Sequence, residues 1–290
     1  MNNNIQLITD GTAYVSPARL RELSIISLPI VAQAGGRHFM YDQQTHEHVD
    51  LLRWMASERG PVEIVGPSPD DFRAVFERTL YRTNKMLVIL SSSHLSPVMR
   101  NARIAARDFM GRCDITILDS RTISMGLGLL VERAGELLAA GDYPLPEVVR
   151  QIRGMIPRIY VVMVSHTLDY LYASGKLSAM QAVLGAMLKI HPYILMEDGE
   201  IVPVEKSRTP EKALDKIVEF ASEFTRIRRS VIFHSGGLEP SDEALSLKNR
   251  LDQVLEDEHD FPMLCYDPIL ASHIGPEGLG MVIYEGAWGH

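Results

Sequence analysis

Cysteine is scarce in this sequence: Cys113 and Cys265 are its only 2. Two thiols so far apart make neither a disulfide framework nor a metal-spaced cluster, and both are expected to be buried. Long apolar runs are missing as well. Nothing approaches the roughly 20 apolar residues that a helix needs to cross a bilayer. Basic charge is not in excess, with 29 Lys and Arg against 37 Asp and Glu and a formal net charge of -8. That balance argues against a general nucleic-acid binder, although it leaves local clusters such as Arg100-Arg103-Arg107 and Arg226-Arg228-Arg229. The stretch MNNNIQLITD has neither the basic start nor the apolar core of a secretory signal, so a cytoplasmic location is the expectation. HExxH, CxxC and GxSxG are all absent. No metal is therefore expected, and hydrolases of the nucleophile-elbow type are disfavoured.

What is present is an ordinary globular composition over 290 residues, long enough for two domains. The chain is organised around Met86 to Ala106. Met86-Leu87-Val88-Ile89-Leu90 is an unbroken apolar run, as in a strand buried on both faces of a parallel sheet. Ser91, Ser92 and Ser93 follow, and Ser96-Pro97 then opens a helix, with Ser96 as its cap. Strand, hydroxyl-rich turn and helix start is a geometry that binds anions, because turn amides and the helix dipole point at one place. Helix capping alone would also explain the serines.

Thr9-Asp10 and Asp119-Ser120 end two further strand candidates, Ile5 to Ile8 and Ile115 to Leu118. Ser16-Pro17 and Ser68-Pro69 open helices in the same cap-plus-proline manner. Ile25 to Val31 reads as a strand interrupted by Pro29, which suggests an edge position or a strand end. The alternation of strand and helix predicts an open, mainly parallel sheet with helices on both faces, over residues 1–155. Ligands bind outside the carboxyl ends of the strands in such sheets. Residues 156–290 change style. Asp198-Gly199 reads as a hairpin turn, and long amphipathic helices, Pro210 to Arg226 and Asp242 to Leu255, alternate with strands. A mixed α+β second domain is expected there, with a helix over residues 179–189. His273 lies in the glycine-rich stretch His273 to Gly280, read as a loop, where it could bind a ligand or act as a general base.

These residues, taken in order, resemble the DegV family. The resemblance rests on Ile8-Thr9-Asp10, Ser92-Ser93-x-Leu95-Ser96, Asp119-Ser120, Leu168-x-Tyr170-Leu171-x-x-x-Gly175-Lys176-Leu177-Ser178, Leu184-Gly185-x-x-Leu188-x-Ile190-x-Pro192, Asp198-Gly199 and His273-x-Gly275-Pro276. It implies a two-domain, lipid-binding protein holding a fatty acid in an apolar tunnel, with the carboxylate between the domains and no catalytic centre of its own. Its carboxylate ligands map onto Ser92 or Ser93 and onto His273, with Ser68 as a helper. Expected partners are the fatty acid, a separate fatty acid kinase and, transiently, a membrane surface. No cofactor and no nucleic acid are expected. The chain departs from the family pattern at Ile64, where a threonine would hydrogen-bond the carboxylate, and at Pro97-Val98, where the pattern has Gly-Thr. Lys176 stands where an arginine is implicated in contact with the kinase. Two rival readings stay open: a divergent enzyme using His273 as a general base on a small ligand, and a non-binding protein acting through partners.

Overall fold

The apolar run forms β6 (Lys85–Leu90). It lies between β1 (Gln6–Asp10) and β7 (Asp114–Asp119), with β2 (Ile26–Leu28) beyond β1, and all three pairings are parallel. The computed structural model describes residues 5–41, 47–58, 60, 62–175, 190–235, 239–255 and 260–286. Alternate side chains of β6 enter different cores, as the period of a strand requires. Met86, Val88 and Leu90 pack with Phe72 and Phe76 of α3 (Pro69–Leu80) and with Val98 of α4 (Val98–Ala106). Leu87 and Ile89 pack on the other face with Leu127 and Leu130 of α5 (Ser124–Ala140) and Ile152 of α6 (Leu145–Met155). At about 1.5–3 kcal/mol per buried aliphatic side chain, this run fixes which way the neighbouring loops point.

The single strand expected over Ile25 to Val31 is two strands in two sheets. Pro29 lacks the N–H that a ladder needs, and the chain leaves the parallel sheet there. It continues as β3 (Ile30–Ala34), the centre of an antiparallel sheet between β4 (Arg37–Tyr41) and β5 (Glu63–Val65). No alternation signal in the sequence announced this small sheet.

The later strands are β8 (Ile159–Val164), β9 (His191–Glu197), β10 (Glu200–Ser207), β11 (Ile227–His234), β12 (Met263–Cys265) and β13 (Leu279–Glu285). They form one mixed sheet in the order β10-β9-β8-β13-β11-β12, parallel only between β11 and β12. Asp198 and Gly199 both have positive φ, 48° and 89°, as the two-residue hairpin turn between β9 and β10 demands. Helices α8 (Pro210–Ser222) and α9 (Asp242–Val254) cover one face of this sheet. The other face meets the first half of the chain: Val161 and Phe233 share a core with Ile30 and Ala32 of β3, Met55 of α2 (Glu47–Glu58) and Ile269 of α10 (Pro268–Ile274). Strands on either side of residue 156 thus belong to different sheets, but one core joins them. Cys113 and Cys265 are free thiols and half-buried, not buried as expected. The helix expected over 179–189 lies outside the described residues, as does Lys176.

Candidate functional site

The strand-end loops of the parallel sheet do converge, but largely on one another. Asp10 is fully buried, and its Oδ2 accepts from the amide of Ser91 at 2.7 Å. Its Oδ1 accepts from the Thr12 amide at 3.0 Å. Ser92 donates its hydroxyl to the carbonyl of Gly199 at 2.7 Å, and its amide to Thr122 O at 2.9 Å. The Ser93 hydroxyl donates to Asp119 Oδ2. Asp119 Oδ1 also accepts from the Arg121 amide at 3.0 Å.

This loop clasps the two halves of the chain. Besides the Ser92 bond, Arg121 pairs with Asp198 at 2.9 Å and His94 with Glu200 at 3.0 Å, both on the β9–β10 hairpin. A Cβ on Gly199 would stand 2.4 Å from Ser92 Oγ and 3.1 Å from Arg121 Cα. The turn therefore needs glycine for closeness as well as for its φ.

A separate cavity of about 250 Å³ lies where β5, the loop after β6, α7 (Asp169–Ala173) and α10 meet. Val62, Ile64, Leu95 and Ile269 give it apolar walls, and Ser96 and His273 bring polar groups to it. Pockets for small organic ligands run to about 300–1,000 Å³, and this cavity lies just below that range. Ser174 and Ser272 reach the same space. Their hydroxyls donate to the carbonyls of Leu171 at 3.3 Å and Ile269 at 2.8 Å. Nothing in the sequence singled these two out, because a serine near a helix end is a common local device.

His273 sits in the last turn of α10, not in the loop that its glycine-rich surroundings suggested. The loop begins only at Gly275, which has φ +82°. Asp267 caps this helix, its Oδ1 accepting from the amides of Ile269 at 2.8 Å and Leu270 at 3.1 Å. Burial pushes the Asp267 carboxyl above its usual range. The Tyr266 hydroxyl donates to Gly275 O at 2.6 Å and accepts from the Gly278 amide at 2.9 Å. One residue before the helix and one after it are thereby tied together, which fixes where His273 stands.

The serine assignments change accordingly. Ser92 and Ser93 do not line the cavity that holds His273 and Ile64; their hydroxyls serve Gly199 and Asp119. Ser68 is committed to a capping box: its hydroxyl donates to Asp71 Oδ2 at 2.7 Å, its amide donates to the same oxygen at 2.8 Å, and it accepts from the Asp71 amide at 3.2 Å. Ser96, read from the sequence as a cap, accepts from the Val98 amide at 3.3 Å and also reaches the cavity. A larger cleft of about 890 Å³ runs between β7 and the β8–β9 pair, lined by Ile117, Ile159, Val161, Leu195, Met196 and Phe220 among others. It shares no lining residue with the His273 cavity. Among the described residues no group of His, Cys, Asp and Glu is placed to hold a metal ion, and no helix is long and apolar enough to cross a membrane.

Comparison with known proteins gives a consistent picture. A family model described as "Uncharacterised protein, DegV family" matches residues 4–286. A DegV domain-containing protein of Caldanaerobacter subterraneus is 30% identical over 74% of this chain and 76% of its own length. One from Streptomyces coelicolor is 27% identical over 98% of this chain and 99% of its own. Among solved structures, a DegV family protein from Thermus thermophilus, described as binding fatty acid, has a TM-score of 0.82 and 25% identity, covering 97% of this chain and 99% of that one. A DegV family protein from Streptococcus agalactiae, also described as fatty acid binding, has a TM-score of 0.84 at 23% identity, covering 98% and 99%. At that identity it speaks for the fold.

Proposed function

Since the chain belongs to the DegV family, we propose that it is a carrier of a long-chain fatty acid or related amphiphile, with no catalytic centre of its own. The carboxylate is held where the two halves meet, and the acyl chain continues into an apolar tunnel. The observation that carries this reading is the cavity in which Ile64, Ser96 and His273 come together from segments remote in sequence. The fatty acid binding described for the Thermus thermophilus relative supports it. Ser96 and His273 take the place of Ser92, Ser93 and Ser68 as head-group donors. A hydroxyl and an imidazole N–H each donate to a carboxylate oxygen, and bonds to a charged acceptor contribute about 1.5–3 kcal/mol each. Each buried CH₂ of the chain adds about 0.8 kcal/mol.

Ile64 puts a hydrocarbon where the family pattern has a hydroxyl, so this chain grips the carboxylate with one donor fewer. Loading at a membrane surface and presentation of the carboxylate to a separate fatty acid kinase, with Lys176 as a contact, belong to the same proposal. The test is mass spectrometry of solvent extracts of the purified protein, beside native mass spectrometry. A stoichiometric fatty acid is the expected result. A protein that is empty and takes up no added fatty acid would overturn the reading.

A further inference from the structure

Several arginines on this surface have a carboxylate partner. Arg19, Arg53, Arg150 and Arg250 are each ion-paired, at 2.5–3.2 Å. Arg100, Arg103 and Arg107 differ from these. All three are exposed, and among the described residues none has an ion pair. The acid nearest in sequence, Asp108, is held by Arg73 at 2.6 Å. Arg100 and Arg103 lie on α4, and Arg107 begins the 3₁₀ turn that continues it. Their spacing of three and then four residues puts them on one face. At about 1.5 Å of rise per residue, Arg100 and Arg107 stand about 10 Å apart along the axis.

The three guanidinium groups do not stand on a flat surface. They line a groove of about 650 Å³ whose other walls include Ser93, His94, Pro97 and Met99. Two carboxylates bond to residues of its wall, Asp119 accepting from the Ser93 hydroxyl and Glu200 pairing with His94 at 3.0 Å. An uncompensated row of arginines in a protein of net charge -8 makes a local positive field, and a concave wall focuses it.

We infer that this groove binds a ligand carrying a chain of phosphate groups, either a free polyphosphate or the phosphate tail of a nucleotide. Arginine is suited to this chemistry: its planar fork meets phosphate oxygens with two parallel bonds and stays charged at every accessible pH. Three such forks over about 10 Å match successive phosphates better than a single anion. The concavity favours a small molecule over a bilayer surface. This inference stands independently of the carrier reading. The groove and the His273 cavity share Leu95 and Ser96 as a wall.

The experiment is isothermal titration of the full chain with sodium tripolyphosphate, with ATP and with sodium sulfate at matched ionic strength. Both polyphosphates should saturate at one site and sulfate should not. R103Q/R107Q and R100Q/R103Q should each weaken binding at least tenfold. R226Q/R228Q, in the other basic cluster, should leave it unchanged, with circular dichroism confirming the fold of all three. Equal affinities would assign the phosphate chain itself as the recognised group; tighter ATP would assign a nucleotide. The inference falls if neither polyphosphate saturates, if sulfate binds as well, if the groove variants bind normally, or if R226Q/R228Q loses as much affinity as they do.

Discussion

Replacing Ile64 by threonine should restore the missing head-group donor. Ile64 is half-buried on β5, paired with Ala32 of β3, and faces the cavity that holds Ser96 and His273. Threonine suits a strand as well as isoleucine does, so the fold should tolerate the change. The new hydroxyl would contribute about 1.5–3 kcal/mol if it reaches the carboxylate. The lost apolar contact would cost about 1 kcal/mol. The balance, about 0.5–2 kcal/mol, corresponds to binding tighter by roughly 2- to 30-fold. Ile64→Val is the control, because valine has the shape of threonine without its hydroxyl. Delipidated proteins would be titrated with palmitate and with methyl palmitate. The advantage of threonine over valine should be present with the acid and vanish with the ester. Equal affinity of the two variants for palmitate, or looser binding by Ile64→Thr, would refute the placement of the carboxylate beside Ile64.

The same titration separates the other polar residues. Ser96→Ala and His273→Ala should each weaken palmitate binding by roughly 10-fold or more, the loss of one bond to a charged acceptor; normal affinity in both would remove the head-group assignment. Ser92→Ala should leave affinity unchanged and lower stability by about 1–3 kcal/mol, since it strands the Gly199 carbonyl, as read by urea unfolding. Ser68→Ala breaks the capping box of α3 and should cost about 1 kcal/mol without touching binding. The hydrogen bond between His166 and Glu243, 2.9 Å long, raises the pKa of the first and lowers that of the second. Stability from His166 is complete below its ordinary value of 6.5 and is lost as pH rises through the higher folded value. Stability from Glu243 is complete above its ordinary 4.5 and is lost as pH falls through the lower folded value. Glu243→Gln should therefore destabilise the protein more at pH 6 than at pH 9 in urea unfolding; equal losses would count against the pair.

Much of the fold was legible because it rests on local signals. The run Met86 to Leu90 could only be a strand covered on both faces, and it is. Ser16-Pro17 and Ser68-Pro69 mark their helices correctly, each serine accepting from the third residue on. Asp198-Gly199 carries its turn in its own backbone preference. The segment Val62 to Val65 reads as a short strand or extended segment, and β5 is there, but the three-stranded sheet was not legible, since three residues carry no period that says which strand they join. The position of His273 was missed for a related reason. Its helix has seven residues and is fixed by Asp267 and Tyr266, contacts that no spacing along the chain announces.

The serine loop is the instructive case, because the anions its amides and hydroxyls hold in this structure belong to the chain itself. Free amides and hydroxyls after β6 do bind carboxylates: Ser91 N holds Asp10, and the Ser93 hydroxyl holds Asp119. Both carboxylates belong to the chain. In a parallel sheet, neighbouring strands end at the same level, so an acid closing one strand lies within reach of the loop that closes the next. Asp10 closes β1 and Asp119 closes β7, the two neighbours of β6. The loop's first anion-binding capacity is therefore spent on fixing its own shape and, through Ser92 and the Gly199 carbonyl, on holding the β9–β10 hairpin. On the far side of the turn, at Leu95 and Ser96, the described strand ends supply no acid to the cavity.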